Sequence, residues 1–305
     1  MKQCWRWFGP EDSVKLSDLH QVGVEGIVTA IHAIPPGKAW GAQAIVDRQS
    51  ILSAGGYRWD VVESLPVSEE IKTQTGLMSG HIAAYKTSLR ALAQANIETV
   101  CYNFMPILDW TRTSLRAPQS HGGAAMLFDL TDFAVFDLHI LERRGAAEDY
   151  VDALRAAAFE RFSQMSGGDK TILQRNITAG LPGANDSWSL ADVRRLLNSY
   201  KGITTERLRA NLVDFLSEVA PLAETLGMRL CCHPDDPPFS LLGLPRVMSS
   251  SADYSAVLNA VDLPANGATL CTGSLGVSPS FDGPEFVKKH GPRIHFAHLR
   301  NTKRL

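Results

Sequence analysis

Short apolar runs alternate along this chain with longer stretches of helical periodicity, and the alternation predicts most of its elements. Residues 4–8, followed by Gly9-Pro10, predict a first strand, and Asp12-Ser13 is placed to cap a short helix through about 22. The β-branched run 26–31 predicts a second strand, and a helix follows from about 40 to 53, stopped by Gly55-Gly56. Residues 59–65 predict a third strand ending at Pro66. A helix over about 81–96 carries Ile82, Tyr85, Leu89, Leu92 and Ala93 on one face. Residues 99–104 predict the fourth strand. From 107 to about 200 there are helical stretches (about 131–142, 147–165 and 189–198) but no clear strand. Such a length exceeds an ordinary strand-to-helix loop, so an inserted helical region is expected on the loop side of strand four. The alternation resumes with a helix over 204–226, strand 228–232, a helix near 252–261, strand 268–272, a helix near 283–290 and strand 294–299.

Near-continuous apolar strands separated by helices argue for a parallel sheet covered by helices. The expected fold is α/β, a TIM (β/α)8-type barrel forming a single domain over 1–305, with the helical insertion at about 107–200. Seven strands are predicted where a closed barrel needs eight, and an open barrel would leave two unpaired strand edges. The chain as given is therefore expected to lack the last β/α unit, through truncation or because another source supplies it.

Composition narrows the partners. With 45% hydrophobic and 20% charged residues and a formal net charge of -2, the chain has the profile of a soluble globular protein. It has no basic block that would suit a nucleic acid. It also has no 18-residue apolar run and no signal-peptide core at its start, so no membrane partner and a cytoplasmic location are expected. The five cysteines form no CxxC pair and no even framework. Cys4, Cys101, Cys231 and Cys232 lie in or beside apolar runs and are expected to be small core residues.

Cys271 differs because of where it stands. The fifth, sixth and seventh strands end on His233, Cys271 and His298, and the C-terminal ends of barrel strands are where chemistry is placed. Any one of these residues alone is more often structural, but together they can converge on one ion. Imidazole and thiolate suit Zn, Fe, Co or Mn rather than Mg or Ca. His298 is preferred over His295, which has the opposite parity along the strand. A fourth ligand is expected to be a carboxylate from beyond strand seven; Asp235 and Asp236 lie after the turn, where Pro237-Pro238 suggests they shape the loop.

Several ordered motifs resemble the D-mannonate dehydratase family, within the xylose-isomerase-like barrel superfamily. They are Trp5-Arg6-Trp7-Phe8-Gly9, Gly26-Ile27-Val28-Thr29-Ala30-Ile31-His32, Val62-Glu63-Ser64-Leu65-Pro66-Val67, Tyr102-Asn103-Phe104-Met105-Pro106, Asp109-Trp110-Thr111-Arg112-Thr113, Ala179-Gly180-Leu181-Pro182-Gly183, His233-Pro234-Asp235-Asp236-Pro237-Pro238, Cys271-Thr272-Gly273-Ser274 and His298-Leu299-Arg300-Asn301. The resemblance implies a hydro-lyase of hexuronate (glucuronate) catabolism that converts D-mannonate to 2-keto-3-deoxy-D-gluconate. It also implies Mn2+ or Fe2+ on His233, Cys271 and His298. Two departures stand out. The family continues into an Arg-Pro-Asp-His-Gly strand that supplies the fourth ligand and a His at the reacting centre, and Ser68 stands where a His is expected.

The implied reaction removes a weakly acidic C2 proton and a poor 3-hydroxyl leaving group, so it needs proton-transfer groups and charge stabilisation. His32 and Tyr102 are the proton-transfer candidates at strand ends. Asn103, Trp110, Arg112 and Arg300 are the substrate-binding candidates, the guanidinium groups for the sugar-acid carboxylate. A small-molecule sugar acid is the expected partner, and a homo-oligomer the expected assembly. Two other readings stay open: a metal-dependent sugar isomerase or epimerase, and a truncated, inactive dehydratase.

Overall fold

The computed structural model describes residues 1–179 and 188–304. Within the Ala179-Gly180-Leu181-Pro182-Gly183 motif, every residue after Ala179 lies outside them. The chain divides into two compact units: Met1–Met105, Ile203–Pro238 and Arg246–Leu305 form the first, Pro106–Gly202 and Phe239–Pro245 the second.

The first unit is built on strands β1 (Cys4–Arg6), β2 (Gly26–Thr29), β3 (Trp59–Glu63) and β4 (Thr99–Tyr102). After the second unit's hairpin strands, β5 (Ser114–Pro118) and β6 (Ala124–Leu127), it continues with β7 (Arg229–Cys232), β8 (Asn266–Cys271) and β9 (Ile294–His298). The seven strands of the first unit pair in the order β1-β2-β3-β4-β7-β8-β9. Every pair is parallel. All seven strands read from the sequence are therefore present and in sequential order, as a barrel topology requires.

The sheet curls on itself. In that order β9 lies four places from β3, so in a flat sheet their side chains would stand about 19 Å apart. Instead His298 Nε2 of β9 lies 3.2 Å from Glu63 Oε2 of β3. Lower down the strands, Cys101 Sγ and Thr269 Oγ1 meet at 3.4 Å from β4 and β8. The inward face at that level holds Val28, Val61, Cys101 and Cys231, with Cys4 and Phe296 packed against them. Of the thiols expected in the core, Cys101 and Cys231 thus face the sheet interior, and Cys4 is only partly buried.

Helices cover the outer face, the largest being Thr205–Thr225, where the spacing predicts 204–226. Its Phe215 packs edge-on against Tyr85 at 5.1 Å and against Tyr102 at 5.9 Å, and it also meets Phe104. Two local expectations are corrected. Asp12 caps no helix; it accepts from the backbone N–H groups of Phe8 and Val14 in a turn, and the first helix begins only at Leu16. The segment after strand four is not purely helical, because β5 and β6 pair antiparallel there. A helix over Gly167–Thr178, capped by Ser166, also goes unpredicted. Among the described residues, no helix is long and apolar enough to cross a membrane.

Candidate active site

Strand alternation builds the site. Two residues beyond each inward-facing core position, the same face carries a second row: Arg6 after Cys4, Glu63 after Val61, Asn103 after Cys101, His233 after Cys231, Cys271 after Thr269 and His298 after Phe296. The polar row sits at the C-terminal ends of the strands, above the buried cluster of Val28, Val61, Cys101 and Cys231.

Three members of the row converge. One potential ligand atom from each of His233, Cys271 and His298 lies within 4.8 Å of the other two. His233 and Cys271 are buried and His298 is partly exposed, so the group opens on one side.

The tautomers follow from the partners, since a carbonyl or carboxylate oxygen can only accept. His233 Nδ1 lies 2.7 Å from the Pro234 carbonyl and must donate to it, which leaves Nε2 with its lone pair. His298 Nε2 lies 3.2 Å from the Glu63 carboxylate and must donate likewise, which turns Nδ1 toward His233 Nε2 at 3.2 Å. With neither facing nitrogen protonated, two nitrogens and a sulfur aim electron pairs at a common point. That arrangement calls for a positive charge between them.

Without an ion, a proton on His298 supplies that charge. Burial opposes ionisation of Cys271, but His233, His298 and Arg300 outweigh it and hold the thiol down at about 4, so it is a thiolate at neutral pH. Burial likewise opposes a charged His298, yet Glu63 and Cys271 raise it to about 10. Burial also works against the Glu63 carboxylate, but Arg6, 2.7 Å away, and His298 hold it well below the usual carboxylate range. A nitrogen, nitrogen and thiolate donor set of this kind suits a borderline divalent transition metal, and the residues present fit one.

A network behind Cys271 fixes its loop. Ser274 Oγ lies 3.3 Å from Cys271 Sγ and donates to Asp236 at 3.0 Å. Arg300 Nη2 donates to the same carboxylate oxygen at 3.0 Å. A Cβ on Gly273 would collide with the Arg300 guanidinium, so a glycine is needed for the arginine to cross there. Asp235, by contrast, accepts from Met248 N and Ser249 Oγ and shapes the following turn.

The other sequence candidates are scattered. His32 is half-buried, and burial together with Arg6 and Arg48 lowers it to about 4, so its ring is neutral. Its Nε2 is buried and meets no hydrogen-bond partner among the described residues. Tyr102 is not brought to the site. One residue on from the inward Cys101, it turns to the helical face and is fully buried against Phe215. Asn103 donates to Ser64 Oγ at 3.4 Å. Trp110 and Arg112 belong to the second unit, where the guanidinium stacks over the indole at 4.7 Å and donates to the Thr111 carbonyl. Ser68, where a histidine is expected, caps the helix Glu69–Thr73 and bonds His81 Nδ1 at 2.7 Å. His295 bonds the Pro264 carbonyl, away from the cluster. Glu63 and Arg6, absent from the candidates above, are the residues that sequence reasoning missed. Their signal was the period of two that places them above Val61 and Cys4.

The chain is similar to known proteins along its whole length. The family model for D-mannonate dehydratase (UxuA) matches residues 1–305. The mannonate dehydratase of Rhizobium meliloti is 53% identical over 304 residues, which span 100% of this chain and 76% of that protein. The crystal structure of mannonate dehydratase from Streptococcus suis serotype 2 superposes with a TM-score of 0.76 at 30% identity, covering 99% of this chain and 72% of the other. D-psicose 3-epimerase from Clostridium cellulolyticum, at 10% identity and a TM-score of 0.52, covers 98% of this chain and 72% of its own, and shares the fold alone. Convergent strand ends and a match along the whole length lead to one family: the chain belongs to the D-mannonate dehydratases.

Proposed function

We propose that the protein is a hydro-lyase that converts D-mannonate to 2-keto-3-deoxy-D-gluconate with Mn2+ or Fe2+ held by His233, Cys271 and His298. The observation that carries the reading is the set of three electron-pair donors, from the ends of three adjacent strands, aimed at one point in a chain of this family. When bound, the ion supplies Lewis-acid stabilisation of the negative charge that develops on the substrate as C2 loses its proton.

The chain's own groups supply the rest. The C2 proton passes to a base while the 3-hydroxyl leaves as water with a proton from an acid, and the resulting enol becomes the 2-keto acid. His32 is the candidate to accept a proton: its ring is neutral at physiological pH and its Nε2 meets no hydrogen-bond partner among the described residues, while burial, Arg6 and Arg48 keep it a weak base. Arg300, positioned by Asp236 across Gly273, offers a cation to the sugar-acid carboxylate. Asn103, whose amide reaches Ser64 Oγ at 3.4 Å, is a ligand for the substrate's hydroxyls.

The test is product analysis with added Mn2+. A dehydratase releases one water per turnover and gives a 2-keto-3-deoxy acid, whereas an isomerase or epimerase conserves mass. Conversion without loss of water would sink the dehydratase reading, and metal bound equally by His233→Ala and the parent would sink the ligand assignment.

A further inference from the structure

We propose that Glu63 is a positioning residue of the metal centre: its carboxylate takes the Nε2–H of His298, fixes that ring's tautomer and leaves Nδ1 as the nitrogen offered to the ion, while Arg6 holds the carboxylate in place. The inference rests on the metal reading above and adds a role for two residues it does not use.

The argument begins with cost. Glu63 is 7% exposed, and burying a carboxylate costs several kcal/mol unless partners compensate. Arg6 Nη1 compensates at one oxygen, 2.7 Å from Oε1. A purely structural ion pair would be complete at that point. The second oxygen is instead spent on His298, 3.2 Å away and four strands distant in the sheet order. That contact exists only because the sheet curls, and it falls on the nitrogen remote from His233 and Cys271. A carboxylate behind an imidazole fixes the ring's rotation and raises the basicity of its other nitrogen, which strengthens a metal bond.

Arg6 fits the supporting role. It reaches the site from β1, with its stem over Phe8 at 5.3 Å. Its Nε and Nη2 are buried and meet no hydrogen-bond partner among the described residues, where Glu63 is the anchor for its charge. Removing Glu63 leaves the Arg6 charge buried and unpaired, and removing Arg6 leaves Glu63 with His298 alone.

The experiment is Mn2+ affinity, read from the electron paramagnetic resonance signal of the free ion, on the parent, Glu63→Gln, His298→Ala and the double variant. Glutamine keeps the shape but gives a weaker, neutral acceptor, so affinity is expected to fall about 10- to 100-fold. In the His298→Ala background the same change is expected to cost nothing further, because the residue acts through that ring. Co2+ substituted into Glu63→Gln is expected to show a shifted visible spectrum. Should Glu63→Gln fail to fold with Arg6 unpaired, Arg6→Met/Glu63→Gln removes both charges and is read in the same way. Affinity within twofold of the parent, or an equal loss with and without His298, would overturn the inference while leaving the metal reading intact. A parent that takes up no Mn2+ would instead remove the metal reading itself.

Discussion

At the scale of single residues, the site is a set of side chains whose alternatives are chemically distinct, so substitutions can separate their roles. Cys271 supplies the one soft donor, and serine in its place would be a poorly ionised, hard oxygen. We expect Cys271→Ser to weaken metal binding on the order of tenfold or more, and to weaken Zn2+ more than Mn2+, because the thiolate favours the softer ion. Chelator competition with both metals reads the ratio; equal losses would mean the sulfur does not ligate. His32 supports a second prediction. Its pKa is about 4 in the fold, against 6.5 for a free histidine, so the unfolded chain binds the extra proton first as pH falls. The contribution of neutral His32 is therefore fully present above about 6.5 and is lost progressively as pH falls toward 4. Urea unfolding of His32→Gln should show a shallower loss of stability over that window than the parent, and parallel curves would show the ring is not held neutral. These residue identities were only half legible in the sequence. His233, Cys271 and His298 announced themselves by type and position, whereas Glu63 sat unremarked inside a motif because a lone glutamate at a strand end has many bland explanations. Tyr102 was misplaced by one residue of register, which on a strand is the difference between the interior and the helical face.

At the scale of elements, legibility followed burial. The inner strands, largely buried on both faces, could be read as continuous apolar runs, and the partly buried edge strands β1 and β9 emerged with them within a few residues of their predicted bounds. The hairpin β5–β6 could not: its residues are exposed or only partly buried, so no face of it is written in alternating hydrophobicity. The Gly122-Gly123 pair that joins it has no flanking alternation to mark a hairpin. The long helix Thr205–Thr225 was legible for the opposite reason, since eight of its residues are buried along one stripe. Phe215 is the centre of that stripe, 1% exposed and touching Tyr85, Tyr102 and Phe104. Its replacement by alanine removes a large ring from between helix and strand. Phe215→Ala is expected to cost about 3–5 kcal/mol in denaturant unfolding. A loss below about 1 kcal/mol would mean the aromatic cluster collapses around the vacancy or contributes little.

At the scale of the whole molecule, the metal reading has a thermodynamic consequence independent of turnover. The three donors come from the ends of β7, β8 and β9, and no unfolded chain holds them within 4.8 Å of one another. An ion that binds them binds the folded state and stabilises it by mass action, by about 2.7 kcal/mol at a free concentration one hundred times Kd. For a domain of moderate size that corresponds to a midpoint rise of about 2–4 °C per kcal/mol. Mn2+ should therefore raise the thermal midpoint of the parent by several degrees, EDTA should reverse the rise, and His233→Ala should show none of it. The control matters because divalent ions also bind surface carboxylates, and a net charge of -2 gives them little general attraction. A rise of equal size in the His233→Ala protein would place the ion elsewhere, and with it the convergence of strand ends would become a hydrogen-bonded cluster with no metal to hold.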